Sequence, residues 1–268
     1  MCSKSLGTSD APTDEGGRQY HIGLAPGEVT PSMLLVGDPD RVEKGAGLLE
    51  NPSPLKSHRE YTSTTGLYKG KPVTVLGTGI GSDNTEIALV EISRLIDPGE
   101  AVLIRVGSSG AIADHIQVGN LVVSTGALRL ESTSLAYVEP GFPAVAHHEV
   151  VQALIEACEK AGRPSHVGLT ASACGFYGPQ GRPVEGLPHL FPDRVEKLAA
   201  QRILNMEMEC STLFTLATLF GMKAGALCTV FADRNANTFL DEQGRRDAEI
   251  LALTVGLEAL VRITHETP

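Results

Sequence analysis

The feature that most limits how this chain can fold is a recurring junction, in which a short apolar run stops at glycine and passes directly into a segment able to start a helix. The first is Leu34-Leu35-Val36-Gly37-Asp38-Pro39-Asp40-Arg41. Leu34 to Val36 predict a buried strand, Gly37 frees the backbone, Asp38 suits an N-cap and Pro39 suits the first helical position. A helix N-terminus then faces whatever lies beyond the strand. Its unpaired N–H groups favour an anion, and Arg41, one turn in, adds a fixed positive charge. The same residues would also make an ordinary connection with a surface arginine.

The junction repeats. Val73 to Leu76 end at Gly77-Thr78-Gly79-Ile80-Gly81, a turn whose backbone can approach a ligand closely. Helical spacing from Asp83 to Ile96 stops before Asp97-Pro98-Gly99, and the chain returns as Ala101 to Val106, which completes a βαβ unit. Further strands are expected at 121–125, 166–171 and 223–232, and helices at 39–49, 148–161 and 246–264. Because the 42% of hydrophobic residues include only 4% aromatics and no Trp, aliphatic side chains must fill the core, as in a sheet between helices. The expectation is an α/β fold with one domain over 20–268, after a polar, poorly ordered tail at 1–19.

Several candidate functional residues stand where a sheet of this kind binds ligands. Arg105 ends an otherwise buried strand, so its guanidinium must meet a carboxylate or a bound anion, and Gly107-Ser108-Ser109-Gly110 follow it. The loop Ser172 to Pro183 gathers Phe176, Gln180 and Arg182, which as a set suit a planar heterocycle with carbonyl and imide groups, or else a solvated loop. Glu207 and Glu209 flank Met208 before an apolar helix that stops at Gly221; they serve either the helix dipole or paired sugar hydroxyls. His21 sits in the compact patch Tyr20 to Leu24, and residues 235–246 form a polar stretch suited to a flap.

Charge and cysteine usage exclude several classes. A net charge of −10 with no basic run argues against nucleic acid or an anionic membrane as partner. Five scattered cysteines without CxxC support neither a disulfide framework nor a zinc site. With no apolar leader or spanning run, a soluble cytoplasmic protein is expected.

Taken together, Tyr20-His21-Ile22-Gly23-Leu24, Gly37-Asp38-Pro39-Asp40-Arg41-Val42, Ser57-His58-Arg59-Glu60, Thr78-Gly79-Ile80-Gly81, Arg105-Val106-Gly107, Phe176-Tyr177 with Gln180 and Arg182, and Glu207-Met208-Glu209 resemble the nucleoside phosphorylases, their uridine-cleaving branch above all. The resemblance runs in motif order over residues 20–262. It implies a three-layer α/β/α sandwich around a mixed, twisted sheet, and reversible phosphorolysis of uridine to uracil and ribose 1-phosphate. Inorganic phosphate would be co-substrate, with no organic cofactor. By motif position, Gly37, Arg41, Arg105 and Ser108 would bind phosphate, joined by Arg59 from a neighbouring subunit. Glu207, Met208 and Glu209 would meet the ribose, His21 of the partner would meet its 5′-hydroxyl, and Phe176, Gln180 and Arg182 would hold uracil. A homodimer is then the smallest active unit.

Two features keep alternatives open. Asp233 precedes Arg234 where uridine-cleaving relatives often have asparagine, so a purine-nucleoside or broad-specificity phosphorylase remains a reading. Glu60, Ile80, Asp83 and Asn84 fall where related proteins hold an interface cation, K⁺ or Ca²⁺. A non-catalytic nucleoside-binding protein or a water-using nucleosidase would require a broken or unused set of arginines.

Overall fold

The computed structural model describes residues 7–163 and 165–263. Among these residues are ten strands and six α-helices, in the order β1 (Ser32–Val36), α1 (Pro39–Ala46), β2 (Lys56–His58), β3 (Tyr61–Tyr68), β4 (Lys71–Gly77), α2 (Ser82–Ile92), β5 (Val102–Ala111), β6 (Leu121–Leu130), α3 (His148–Lys160), β7 (Ser165–Ala173), α4 (Arg194–Ala200), β8 (Ile203–Glu207), α5 (Cys210–Phe220), β9 (Lys223–Asp233), β10 (Thr238–Phe239) and α6 (Glu242–Ile263). All strands belong to one mixed sheet in the order β10-β9-β6-β7-β8-β5-β1-β4-β3-β2. Strand β5 pairs in parallel with β1 and β9 and, through Gly110 and Ala111, antiparallel with β8. Because β9 also pairs with β6, the strands β5, β9, β6, β7 and β8 close into a ring.

Alternation along the strands builds the two apolar layers. Leu34, Val36, Ile104 and Val106 pack against α1, α3 and α6, whereas Met33, Leu35 and Leu103 pack against α2 and α5. The molecule is thus the expected α/β/α sandwich. Gly256 brings α6 close to the sheet, since a Cβ there would lie 2.7 Å from both Leu34 and Val106.

The junctions form as their residues require. Asp38 caps α1 by accepting from Asp40 N at 3.0 Å, with Pro39 in the first helical position. Gly81 adopts φ 101° immediately before α2, and Gly221 ends α5 at φ 77°.

Other boundaries differ from expectation. Strands β5 and β6 run on to Ala111 and Leu130, longer than their apolar runs. The stretch 235–246 is not one open flap: Thr238 and Phe239 pair with β9, and α6 begins at Glu242. Part of the segment expected as a loose tail is held by ionic and turn contacts. Arg18 grips Glu28 through both terminal nitrogens at 2.8 and 3.0 Å, Asp14 caps the turn at Gly16 and Arg18, and Gln19 is buried. Among the described residues, no helix is long and apolar enough to cross a membrane.

Candidate active site

The carboxyl ends of β1, β4 and β5 open into a cavity of about 650 Å³, which the loop after β7 and residues of β8 and β9 also line. Gly37 and Arg41 line it from the first junction, Gly79 and Ile80 from the second, and Arg105 and Ser108 from β5. Glu207, Met208 and Glu209 line it from the end of β8, and Phe176, Gln180 and Arg182 from the loop after β7. Residues drawn from positions 37 to 209 thus share one space, including all the expected phosphate-binding, ribose-binding and base-binding residues except Arg59 and His21.

Arg105 meets carboxylates, one of the two partners its burial required. Nε donates to Glu207 at 3.3 Å, and Nη2 donates to Glu209. Burial opposes the charge, but Glu209 and Glu207 outweigh it and hold the guanidinium above its ordinary value. One guanidinium serves two carboxylates. Burial therefore pushes the Glu209 carboxyl up to about 7, Glu207 adds to the rise, and Arg105 and the Gly81 N–H at 2.7 Å oppose it.

Glu207 is engaged differently from a free ribose acceptor. Besides Arg105, it accepts from Ser172 Oγ and from the N–H groups of Glu209 and Cys210, at 2.8 and 3.0 Å, across the start of α5. It therefore organises the helix start and the guanidinium, while Glu209 and Met208 lie at the cavity beside it.

In the loop after β7, the Arg182 guanidinium stacks 3.8 Å from the centre of the Phe176 ring and donates to Gln180 Oε1 at 2.6 Å. Burial first, and Arg234 second, lower its pKa to about 10. Arg234 does not line the cavity; it donates to the Gln180 carbonyl through both terminal nitrogens at 3.2 Å and so backs the base-side group. Asp233 lies outside the cavity too, and its Oδ1 accepts from Asn235 N and Ala236 N, which closes the turn into β10.

His21 and Arg59 are brought together with each other rather than with the cavity. His21 Nδ1 lies 2.7 Å from Glu91, the His21 carbonyl accepts from His58, and Arg59 covers the Tyr20 ring at 4.8 Å. Arg59 is exposed and has φ 54°, a left-handed conformation.

The expected cation ligands do not form a cage. Glu60, Ile80 and Asn84 border the cavity, but Asn84 donates to the Ile80 carbonyl at 3.2 Å and Asp83 turns away to Thr133. Among the described residues, no group of three or more His, Cys, Asp or Glu could hold a metal ion.

Sequence reasoning missed Phe231 and Phe239, which add an aromatic wall with ring centres 6.5 Å apart, and Glu249, which binds Arg41 from α6. Phe239 carried a local signal, lying in the stretch expected to act as a flap.

The profile of the Phosphorylase superfamily matches residues 31–262. The chain is 45% identical over 249 residues to a uridine phosphorylase of Thermococcus kodakarensis, covering 91% of this chain and 88% of that one. It is 37% identical over 253 residues to the uridine phosphorylase of Escherichia coli, covering 91% and 97%, and 33% identical over 213 residues to a guanosine phosphorylase of Halorubrum lacusprofundi, covering 80% and 83%.

Proposed function

The chain belongs to the phosphorylase superfamily, and from that membership we propose that it is a uridine phosphorylase, a pentosyltransferase converting uridine and phosphate reversibly to uracil and ribose 1-phosphate. The observation that carries the reading is a single cavity lined both by Arg41 and Arg105 and by the Phe176-Gln180-Arg182 group. An oxyanion and a planar base can occupy such a space together, with the sugar between them.

The chemistry follows from electrostatics. Gly37, Arg41, Arg105 and Ser108 hold phosphate below the sugar, and Arg105 shifts part of its pairing from Glu209 to the incoming dianion. Glu209, relieved of that pairing, accepts from the ribose hydroxyls, with Met208 packing against the ring. As the glycosidic bond stretches, its electron pair leaves with uracil and the sugar gains oxocarbenium character. Gln180 and Arg182 stabilise the charge that builds on the base, and a phosphate oxygen forms the new bond to C1′. The family chemistry needs phosphate as co-substrate and no organic cofactor. The residues around Glu60 do not fit a cation in one chain, and no step above uses one.

A second copy completes the site in this reading. His21 and Arg59 gather outside the chain's own cavity, which supports their reaching a partner's ribose 5′-hydroxyl and phosphate, with a homodimer as the minimal unit. A cytoplasmic setting is supported by Cys158, Cys174, Cys210 and Cys228, which stand as free thiols; Cys2 lies outside the described residues.

The guanosine phosphorylase relative keeps a purine-cleaving activity as the second reading. Against it stands Asp233, whose carboxylate is engaged in a turn. Base release from uridine, thymidine, inosine and adenosine, each with and without phosphate, tests both. Phosphate-dependent release of uracil supports the first reading; preferential cleavage of inosine supports the second. Equal release without phosphate overturns both.

A further inference from the structure

Arg41 is held from outside the cavity that it lines. Its guanidinium is buried at the cavity wall, and Nε donates at 3.0 Å to Glu249, a residue 208 positions away on α6. Lys44, one turn further along α1, closes on the other Glu249 oxygen. The Phe231 ring lies 5.5 Å from Arg41 Cζ. Nη1 and Nη2 make no hydrogen bond among the described residues and remain for the cavity that Arg41 lines.

Resting on the phosphorolysis reading, we propose that Glu249 is a positioning residue for phosphate, holding Arg41 by Nε so that its two terminal amino groups meet the oxyanion. The need is specific to this site. The same cavity contains Glu60, Glu207 and Glu209, any of which would compete for an unrestrained guanidinium. Lys44 offsets the Glu249 charge, so the carboxylate orients Arg41 without cancelling its attraction for a dianion. Gly256, two helical turns after Glu249, lets α6 sit close on Leu34 and Val106, which fixes the depth at which the carboxylate reaches α1.

The test is steady-state kinetics on E249M, which fills the space without an acceptor, E249Q, whose amide oxygen can still accept from Nε, and K44A. E249A stands in if E249M does not fold. Phosphate is varied at saturating uridine and uridine at saturating phosphate. The expected result is a rise of about tenfold in the phosphate KM of E249M, with uridine KM within about twofold of wild type. E249Q recovers most of the phosphate affinity, and K44A, which leaves the Glu249 charge without its offset, raises the phosphate KM by less than E249M does. An unchanged phosphate KM in E249M, or equal rises for both substrates, overturns the proposal. A lower phosphate KM in E249Q also overturns it, since Glu249 would then act as a counter-charge. Failure of the underlying reading is separate: wild-type protein releasing uracil equally well without phosphate would defeat that reading, and this inference with it.

Discussion

Gly107 lies directly under the guanidinium of Arg105: a Cβ at Gly107 would fall 2.9 Å from Arg105 Nη2 and 3.2 Å from Cζ. An arginine tip normally moves aside at little cost, but this one is pinned by Glu207 and Glu209. Gly107→Ala should therefore displace the guanidinium and lower kcat/KM for phosphate by about tenfold or more. Kinetics with phosphate as the varied substrate check this, and an unchanged value would mean that Arg105 does not contact the oxyanion.

Arg182 joins Phe176 to Gln180 and faces the base side of the cavity. In the proposed reaction, removing it takes away one charged donor to the departing base and frees Gln180 as well. Arg182→Ala is expected to reduce turnover of uridine by about one to two powers of ten, from hydrogen bonds to charge contributing roughly 1.5 to 3 kcal/mol each. Near-wild-type turnover would remove the leaving-group role.

Glu209 gives a pH signature. Its carboxyl is raised to about 7 from an ordinary value near 4.5, so across that interval the folded protein keeps a proton that the unfolded chain has released. The group's contribution to stability is therefore greatest at the low end and falls as pH rises towards 7. Glu209→Gln should flatten that part of the profile. Urea midpoints compared between pH 5 and pH 7.5 in phosphate-free buffer test it, and parallel wild-type and variant profiles would contradict the raised pKa.

The proposed sharing of residues across subunits predicts complementation. On that proposal, Arg59→Ala damages only what a copy donates to its neighbour, whereas Arg182→Ala damages only its own cavity. Refolding the two together should give mixed dimers with one intact site each, and total activity of about a quarter of wild type if pairing is random. Activity no higher than the average of the two parents would indicate that each chain's site is complete without a neighbour.

The layers and most of the cavity were legible because their signals are local. An apolar run ending in glycine gives both the strand and the turn at its end, and Arg41, Arg105 and the Phe176 loop occupy such ends. Strand β8 was missed because Asn205 and Glu207 put polar groups on its buried side, which breaks the apolar pattern. Helix α4 was missed because seven residues are too few to show periodicity. Glu249 is one of several acidic residues on a long helix, and only the packing of α6 against α1 separates it from a solvated one. The role of Glu207 was obscured for a related reason, as its partners Ser172 and Arg105 are far away in the chain.

Closure of the ring formed by β5, β9, β6, β7 and β8 has a bearing on how this protein meets others. A sheet ten strands wide is left with little more than β10 and β2, two and three residues long, as exposed margins. The rest of β3 beyond β2 is covered by residues 50–53, whose backbone pairs with Thr65 and Leu67. Among the described residues, hardly any sheet-edge main-chain donors or acceptors are thus on offer for strand addition or templated aggregation. Any lasting association has to be written in side chains, so surface substitutions can retune it without disturbing the framework inside.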